Sequence, residues 1–354
     1  MNKPRFLLYS LISTLLLACC GINNHQTTYL SQTNNTKNSY IDFSIRDFHD
    51  SSSIISDYSK NSSLSLSDYS SKQTESFIFF TDPHLYIPSN SFKEDIEWFD
   101  TYIPLFKTVY KQYQPCFLMC GGDLLNSGDS KEEACYKIKF FVDQFEASFE
   151  TFYMLAGNHD TNYLGDSWMN SKDLDSCLLS QEDLNLAMFH GGNSYYSFEM
   201  SKTKCFCFDS GYDEDDSLTP YKAEQINWFV SELLSNSFSN IVLFVHAALE
   251  SDKTTLTPFL DTIGSVVLSF NDKRHFTFNN NVFDFSSSFG RICLICAGHE
   301  HIDISNILCG GVPLVISTNF SPSNLAFDLV TIDYKTMSAI FKRFGQGQDR
   351  VINI

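Results

Sequence analysis

Five short polar blocks each follow an apolar run: Asp82-Pro83-His84, Gly121-Gly122-Asp123-Leu124-Leu125-Asn126, Gly157-Asn158-His159-Asp160, Val245-His246 and Gly298-His299-Glu300-His301. Their side chains are types that bind metal ions. Carboxylate and amide oxygen together with imidazole nitrogen form a donor set suited to Zn, Mn or Fe, whereas Ca or Mg favours oxygen alone. Asp82 and His84 are two residues apart, as are His299 and His301, so each pair can lean to one side of an extended segment. The glycines ahead of Asp123, Asn158 and His299 let the backbone turn sharply and come close to a ligand.

Scattered over more than two hundred residues, these groups meet only if the runs before them are strands whose ends share a rim. Loops at the carboxyl ends of strands in α/β sheets build such sites, because the sheet fixes where each side chain starts. The runs Phe77–Phe80, Cys116–Cys120, Phe152–Leu155, Cys205–Phe208, Ile241–Val245, Ile292–Cys296 and Val312–Ile316 read as strands. Helical patterns fill several gaps. A helical apolar period runs from Ser91 to Tyr113, Ser130-Lys131-Glu132-Glu133 is a capping box, and Thr219-Pro220 opens a third helix reaching Leu234. Leu329–Asp333 and Ser338–Phe344 read as a two-stranded finish. The expectation is one α/β domain over residues 75–354.

The chain has 354 residues, 43% apolar and 15% aromatic, which supplies a sizeable core and excludes a disordered or collagen-like class. Its formal charge of -18 repels a polyanionic backbone and argues against a nucleic-acid partner. Eleven cysteines are too scattered in this length for a disulfide-stapled scaffold. Cys116, Cys120, Cys205, Cys207, Cys293 and Cys296 fall in strand patterns, where free thiols pack as small hydrophobes.

The ordered set of blocks resembles the calcineurin-like metallophosphoesterases, over most of the chain from Phe77 to the C-terminal strands. The resemblance implies an αββα sandwich, two mixed sheets flanked by helices, with a binuclear metal site at the strand ends. It implies that Asp82, His84 and His301 hold one metal, that Asn158, His246 and His299 hold the other, and that Asp123 bridges them. The two ions would be divalent or trivalent Mn, Fe or Zn. They would polarise a phosphate and acidify a shared water into the attacking hydroxide. His159 stands where the family keeps its proton donor for the leaving group, with Asp160 expected to orient its ring and Asn126 to hold a phosphate or water oxygen.

Departures narrow the substrate. A purple acid phosphatase would have Tyr at position 126, and a protein Ser/Thr phosphatase would show Asp-Arg-Gly after the third block; this chain has Asn126-Ser127-Gly128. Tyr195-Tyr196-Ser197-Phe198 and Phe208-Asp209-Ser210-Gly211 resemble the branch acting on small organic phosphates, both phosphodiesterases and acid-phosphatase-like enzymes. His190 before Gly191-Gly192 either lines the substrate pocket or is a structural loop histidine. A catalytically silent binding protein of the same fold, or an adhesin, is the competing reading, but it gives no reason for seven ligand-type side chains in register.

At the N-terminus, Lys3 and Arg5 precede an apolar stretch from Phe6 to Ala18, the length of a signal-peptide core rather than of a membrane span. Leu16-Leu17-Ala18-Cys19 resembles the lipobox of bacterial lipoproteins, which would lipidate Cys19 and hold an exported protein on a membrane. Residues 1–18 are then a signal peptide and residues 19–74 a Ser/Asn-rich flexible tether spanning roughly 40 Å root-mean-square. Metabolic labelling with a lipid precursor in a bacterial host is expected to mark the wild-type protein and to fail on Cys19→Ser. Equal labelling of the two, or none of either, sinks the lipoprotein reading.

Overall fold

The computed structural model describes residues 73–85, 92–126, 130–161, 188–189, 195–209, 223–321 and 324–354. The signal peptide with Cys19, the tether up to residue 72, His190 and the Thr219-Pro220 cap lie outside the described residues.

The strands are β1 (Thr74–Phe80), β2 (Leu118–Cys120), β3 (Phe152–Met154), β4 (Met188–Phe189), β5 (Tyr196–Glu199), β6 (Thr203–Cys207), β7 (Asn240–Phe244), β8 (His275–Phe278), β9 (Asn281–Asp284), β10 (Arg291–Ala297), β11 (Ile304–Cys309), β12 (Val312–Ile316), β13 (Ala326–Asp333), β14 (Ser338–Gly345) and β15 (Arg350–Asn353). The helices are α1 (Phe92–Tyr113), α2 (Lys131–Glu146), α3 (Ala223–Leu234) and α4 (Pro258–Asn271). One mixed sheet runs β15-β14-β13-β1-β2-β3 and the other β11-β12-β10-β7-β6-β5-β4, while β8 and β9 form a separate ribbon. Within the first sheet β1, β2 and β3 are parallel. Within the second, β6, β7, β10 and β12 are parallel. Parallel neighbours need crossovers; α1 to α4 supply them for every parallel pair except β10–β12, which β11 connects, so the carboxyl ends of the site-bearing strands in each sheet fall on one edge.

Burial on both faces explains why these strands read as continuous apolar runs instead of alternating ones. In β6 and β7, Cys205, Cys207, Val242 and Phe244 face the first sheet, whereas Phe206, Ile241 and Leu243 pack under α3 and α4. Between the sheets, the Phe244 ring stands 5.4 Å from Phe77 edge-on, 6.0 Å from Phe79 and 6.2 Å from Phe117. Phe117 in turn meets Phe198 at 4.9 Å. Outside the first sheet, Phe80, Phe106, Phe145 and Phe320 form a second aromatic layer with α1 and α2. The result is helix, sheet, sheet, helix, as the family resemblance implies.

Local chemistry places the helix starts. The Ser130 hydroxyl accepts from the Glu133 amide at 3.2 Å, and Thr257 does the same for Leu260 with Pro258 at the first helical position. The Thr257-Pro258 signal was open to the same reading as Thr219-Pro220. Sequence periodicity also passed over edge strands β11 and β15 and the β8–β9 ribbon. Two boundaries are corrected: β1 begins at Thr74, one residue inside the expected tether, and Cys116 is exposed, just ahead of β2, while Cys120, Cys205, Cys207, Cys293 and Cys296 are buried as expected. A bulge in β10 inserts Cys293 between Ile292, opposite Ile241, and Leu294, opposite Val242. The Cys293 thiol donates to the Ile241 carbonyl at 3.4 Å.

Phe244 is fully buried between the two sheets, so Phe244→Ala is expected to lower unfolding free energy by about 3–5 kcal/mol. Phe244→Leu should lose distinctly less. Urea denaturation checks both; equal losses would mean that the aromatic contacts add nothing to the buried volume.

Candidate metal centre

Five of the expected ligands stand in left-handed backbone: Asp82 (φ 54), His84 (φ 45), Asp123 (φ 53), His299 (φ 69) and His301 (φ 54). Non-glycine residues rarely adopt this conformation, and each instance costs about 1–3 kcal/mol unless its surroundings enforce it. Here neighbouring backbone enforces it. The Asp82 and His84 amides donate to the Gly122 and Asp123 carbonyls, both at 3.0 Å, and the Leu85 amide to the Leu124 carbonyl at 2.9 Å, lacing the first two ligand loops together. Across the sheets, the His299 amide donates to Asp82 Oδ2 at 2.9 Å. A side chain at position 298 would put its Cβ 2.0 Å from Thr81 Oγ1 and 2.6 Å from Asp82 Oδ2. Gly298 is therefore required for this close approach. Thr81, which the sequence reading passed over, donates its hydroxyl to Asp82 Oδ2 at 2.6 Å.

The seven expected ligands converge. Asp82, His84 and His301 offer donor atoms within 4.8 Å of one another, as do Asp123, His246 and His299, and a third group of His84, Asp123 and His159 links the two. Asp123 Oδ2 lies 3.1 Å from His246 Nε2 and 3.7 Å from His84 Nε2, between the outer groups. Asn158 Oδ1 faces His246 Nε2 at 3.2 Å. The His246 Nδ1–H donates to the Gly121 carbonyl at 2.8 Å, which turns Nε2 toward this centre. On the other side, His84 Nε2 and His301 Nε2 approach to 2.9 Å, and His84 Nδ1 is buried without a hydrogen-bond partner. Two imidazole nitrogens facing each other beside two buried carboxylates form a donor set that a pair of metal ions fits.

The electrostatics agree. Burial alone would raise the Asp82 carboxyl, yet the charges and hydrogen bonds of His246, His301 and His84 hold it well below the usual carboxylate range. Asp123 is buried and likewise lowered, mainly by His246. For His246, burial pulls downward but Asp123 and Asp82 outweigh it and raise the ring to about 10. Burial and the neighbouring His246 charge push His299 down to about 4. In the metal-free protein a proton thus sits on His246 between Asp123 and Asn158, where a cation would bind.

The third expected role is corrected in part. Asp160 does not orient the His159 ring: its Oδ2 accepts from the Asp123 and Gly157 amides at 2.8 and 2.9 Å, and Oδ1 accepts from the Leu125 amide at 3.1 Å. The His159 ring is held instead by the Asn126 carbonyl, which accepts from Nδ1–H at 2.7 Å. The carboxylate of Asp160 is fully buried and raised by desolvation to about 8, and it clamps two ligand loops rather than supporting an imidazolium. Asn126 contributes through its backbone, which a side-chain motif does not reveal. The His159 amide also donates to Asp123 Oδ1 at 2.8 Å, leaving Oδ2 toward the centre.

Because a metal ion needs the neutral imidazole, uptake must expel the proton that His246 keeps up to about pH 10. Affinity for Mn(II) is therefore expected to rise with pH between 7 and 9, by up to about tenfold per unit for each proton released. Calorimetry in buffers of different ionisation enthalpy reads the proton count; pH-independent affinity with no proton release would contradict the charged state assigned to His246.

The model of the family described as calcineurin-like phosphoesterase matches residues 76–303. Among solved structures, a dimetal phosphatase from Danio rerio superposes with a TM-score of 0.54 at 12% identity, covering 79% of this chain and 98% of that one. A purple acid phosphatase from yellow lupin seeds (TM-score 0.43, 13% identity, 80% of this chain and 54% of that one) and the NAD nucleotidase of Haemophilus influenzae (0.40, 11%, 78% and 49%) are also similar. No curated protein matches the chain. With the matched segment spanning all five ligand loops and well over half of the chain, the chain belongs to the calcineurin-like phosphoesterase family, whose chemistry is metal-dependent cleavage of phosphoester bonds.

Proposed function

We propose that the chain hydrolyses phosphoesters of small organic phosphates and that residues 75–354 form the catalytic domain, tethered to a membrane by residues 19–74 through a lipid on Cys19 of an exported bacterial lipoprotein. The observation that carries the hydrolase reading is the pair of fully buried carboxylates, Asp82 and Asp123, ringed by His84, His246, His299 and His301 on one rim. Asp82, His84 and His301 would hold one metal ion, Asn158, His246 and His299 the other, with Asp123 shared. Bound there, the two cations supply Lewis acidity toward phosphoryl oxygens and lower the pKa of water toward neutrality.

The protein's own residues do the rest. His159, its Nδ1–H fixed by the Asn126 carbonyl, has Nε2 as the atom that carries a proton to the leaving oxygen. Asp160 keeps the Asp123 and Gly157 amides in place, so the shared ligand and the proton donor hold a constant separation. The Asn126 side chain is available to a phosphate oxygen, and His190 is the expected pocket residue beyond the described ones. A complete ligand set together with His159 disfavours the catalytically silent alternative. On the Tyr195-Tyr196-Ser197-Phe198 likeness, diesters are favoured over monoesters.

Protein prepared without chelator and resupplied with Mn, Zn or Fe is expected to hold two equivalents per chain, and fewer than about one removes the two-metal premise. His159→Ala should keep both ions and slow hydrolysis of an alkyl phosphoester by roughly 10²–10⁴. Nitrophenyl esters, whose leaving group departs without that proton, should suffer much less. Equal losses on both substrates would assign His159 to phosphate binding.

A further inference from the structure

His301 is the most exposed of the expected ligands, with 44% of its side chain open to solvent, and its backbone is left-handed. Its ring meets Asp82 Oδ1 at 3.2 Å and the His84 ring edge-on at 4.9 Å, both inside the metal centre, and outside the centre its main chain is held as well. The Thr318 hydroxyl, just beyond the end of β12, donates to the His301 carbonyl at 2.8 Å and accepts from the Asn324 side-chain amide at 2.8 Å. The Thr318 amide donates to Asp303 Oδ1 at 3.1 Å, two residues past His301. One residue thus grips the ligand loop at two points.

Behind this grip lies an ionic network from the C-terminal strands, buried at Arg343 and Asp328 and reaching the surface at Asp303. Arg343 of β14 donates through Nη1 and Nη2 to both oxygens of Asp303, at 3.0 and 2.7 Å. Its Nε and Nη2 bind both oxygens of Asp328 of β13 at 2.8 and 3.0 Å, and Nη1 also reaches the Gln346 carbonyl at 2.8 Å. All five N–H groups of the guanidinium are engaged. Arg350 of β15 adds bonds to Asp328 Oδ2 at 2.7 Å, the Ile316 carbonyl at 2.8 Å and Ser317 Oγ at 3.0 Å, fastening the segment that leads into Thr318. Gly347 leaves room for the cluster, since a Cβ there would lie 2.6 Å from Arg343 Nη1 and 2.9 Å from Asp303 Oδ2.

The buried Arg343–Asp328 pair is a poor device for stability alone, because desolvation offsets most of the attraction. Fixed, directional bonds are what it does supply. The matched family segment ends at Asp303, and Thr318, Asp328, Arg343 and Arg350 all follow it. We infer that Thr318, Asp303 and Arg343 are positioning residues that hold His301 in its ligating conformation, so that the C-terminal hairpin sets the affinity of one metal position. This rests on the reading of His301 as a metal ligand.

The test uses the full chain stripped of metal and titrated with Mn(II) by calorimetry, with melting of the metal-free proteins followed in parallel. Thr318→Val keeps the shape and removes the donor; it is expected to weaken one of two Mn(II) sites by about 10–100-fold, with metal-free melting unchanged. Thr318→Ser, which restores the hydroxyl, should bind as the wild type, and Asp303→Asn should weaken the same site. Wild-type Mn(II) affinity in Thr318→Val, or a loss that Thr318→Ser does not restore, overturns the inference, as does lowered metal-free melting with unchanged affinity, which would make the network structural. His301→Ala separates the two levels. If it loses one site while Thr318→Val loses none, only the positioning role fails; if it keeps both sites at full affinity, the ligand reading fails and the inference with it.

Discussion

Keeping Asp82 and Asp123 charged side by side, out of water, is the condition that the rest of the molecule meets. Neither carboxylate is paired with Lys or Arg among the described residues; their ion-pair partners are histidines. Histidines can surrender their protons to make room for a metal, whereas an arginine could not. Choosing imidazole over guanidinium as the counter-charge is what leaves the centre exchangeable. The remaining requirements follow: loops laced by main-chain bonds, a glycine where His299 meets Asp82, and left-handed backbone at five ligands.

How much of this could be read from the chain depended on where the information sits. The ligand blocks were legible because side-chain type, spacing and a preceding apolar run are all local. The strands of the site were legible for the same reason. The register that joins the sheet was not: β1 pairs antiparallel with β13, Thr74 opposite Asp333, and no local pattern links residues so far apart. Edge strand β11 has an alternating, half-exposed pattern that blends into a loop. Asp160 was misassigned because its neighbour in sequence, His159, suggested a side-chain partner, while its actual partners are amides of Asp123, Leu125 and Gly157. Main-chain acceptors such as the Asn126 carbonyl leave no mark in the residue types at all.

The thiols show the same division between composition and placement. Cys205, Cys207 and Cys296 share the inter-sheet face with Phe244 and Val242, where bulky rings need small neighbours. Burial pushes their pKa values upward, so they stay protonated and behave as compact apolar filler. Cys205 and Cys207 are two residues apart in β6, and Cys296 lies in β10 with β7 between, so the sheet does not bring them together in disulfide geometry.

The bulge at Cys293 has a bearing on how this chain can change length. Ahead of it, β7 and β10 are matched with an offset that pairs Asn240 with Arg291; beyond it, Phe244 is matched with Cys296. The extra residue advances the phase of β10 by one, and in a structure of period two that reverses which way every later side chain points. Downstream of the bulge the Gly298 amide meets the His246 carbonyl, and His299 and His301 inherit their sidedness from that match. Lengthening or shortening a surface loop would be absorbed as slack. The same single-residue change inside β10 would be transmitted as a half-turn to two ligands at once, so this strand has a fixed length in the way that a gear has a fixed number of teeth.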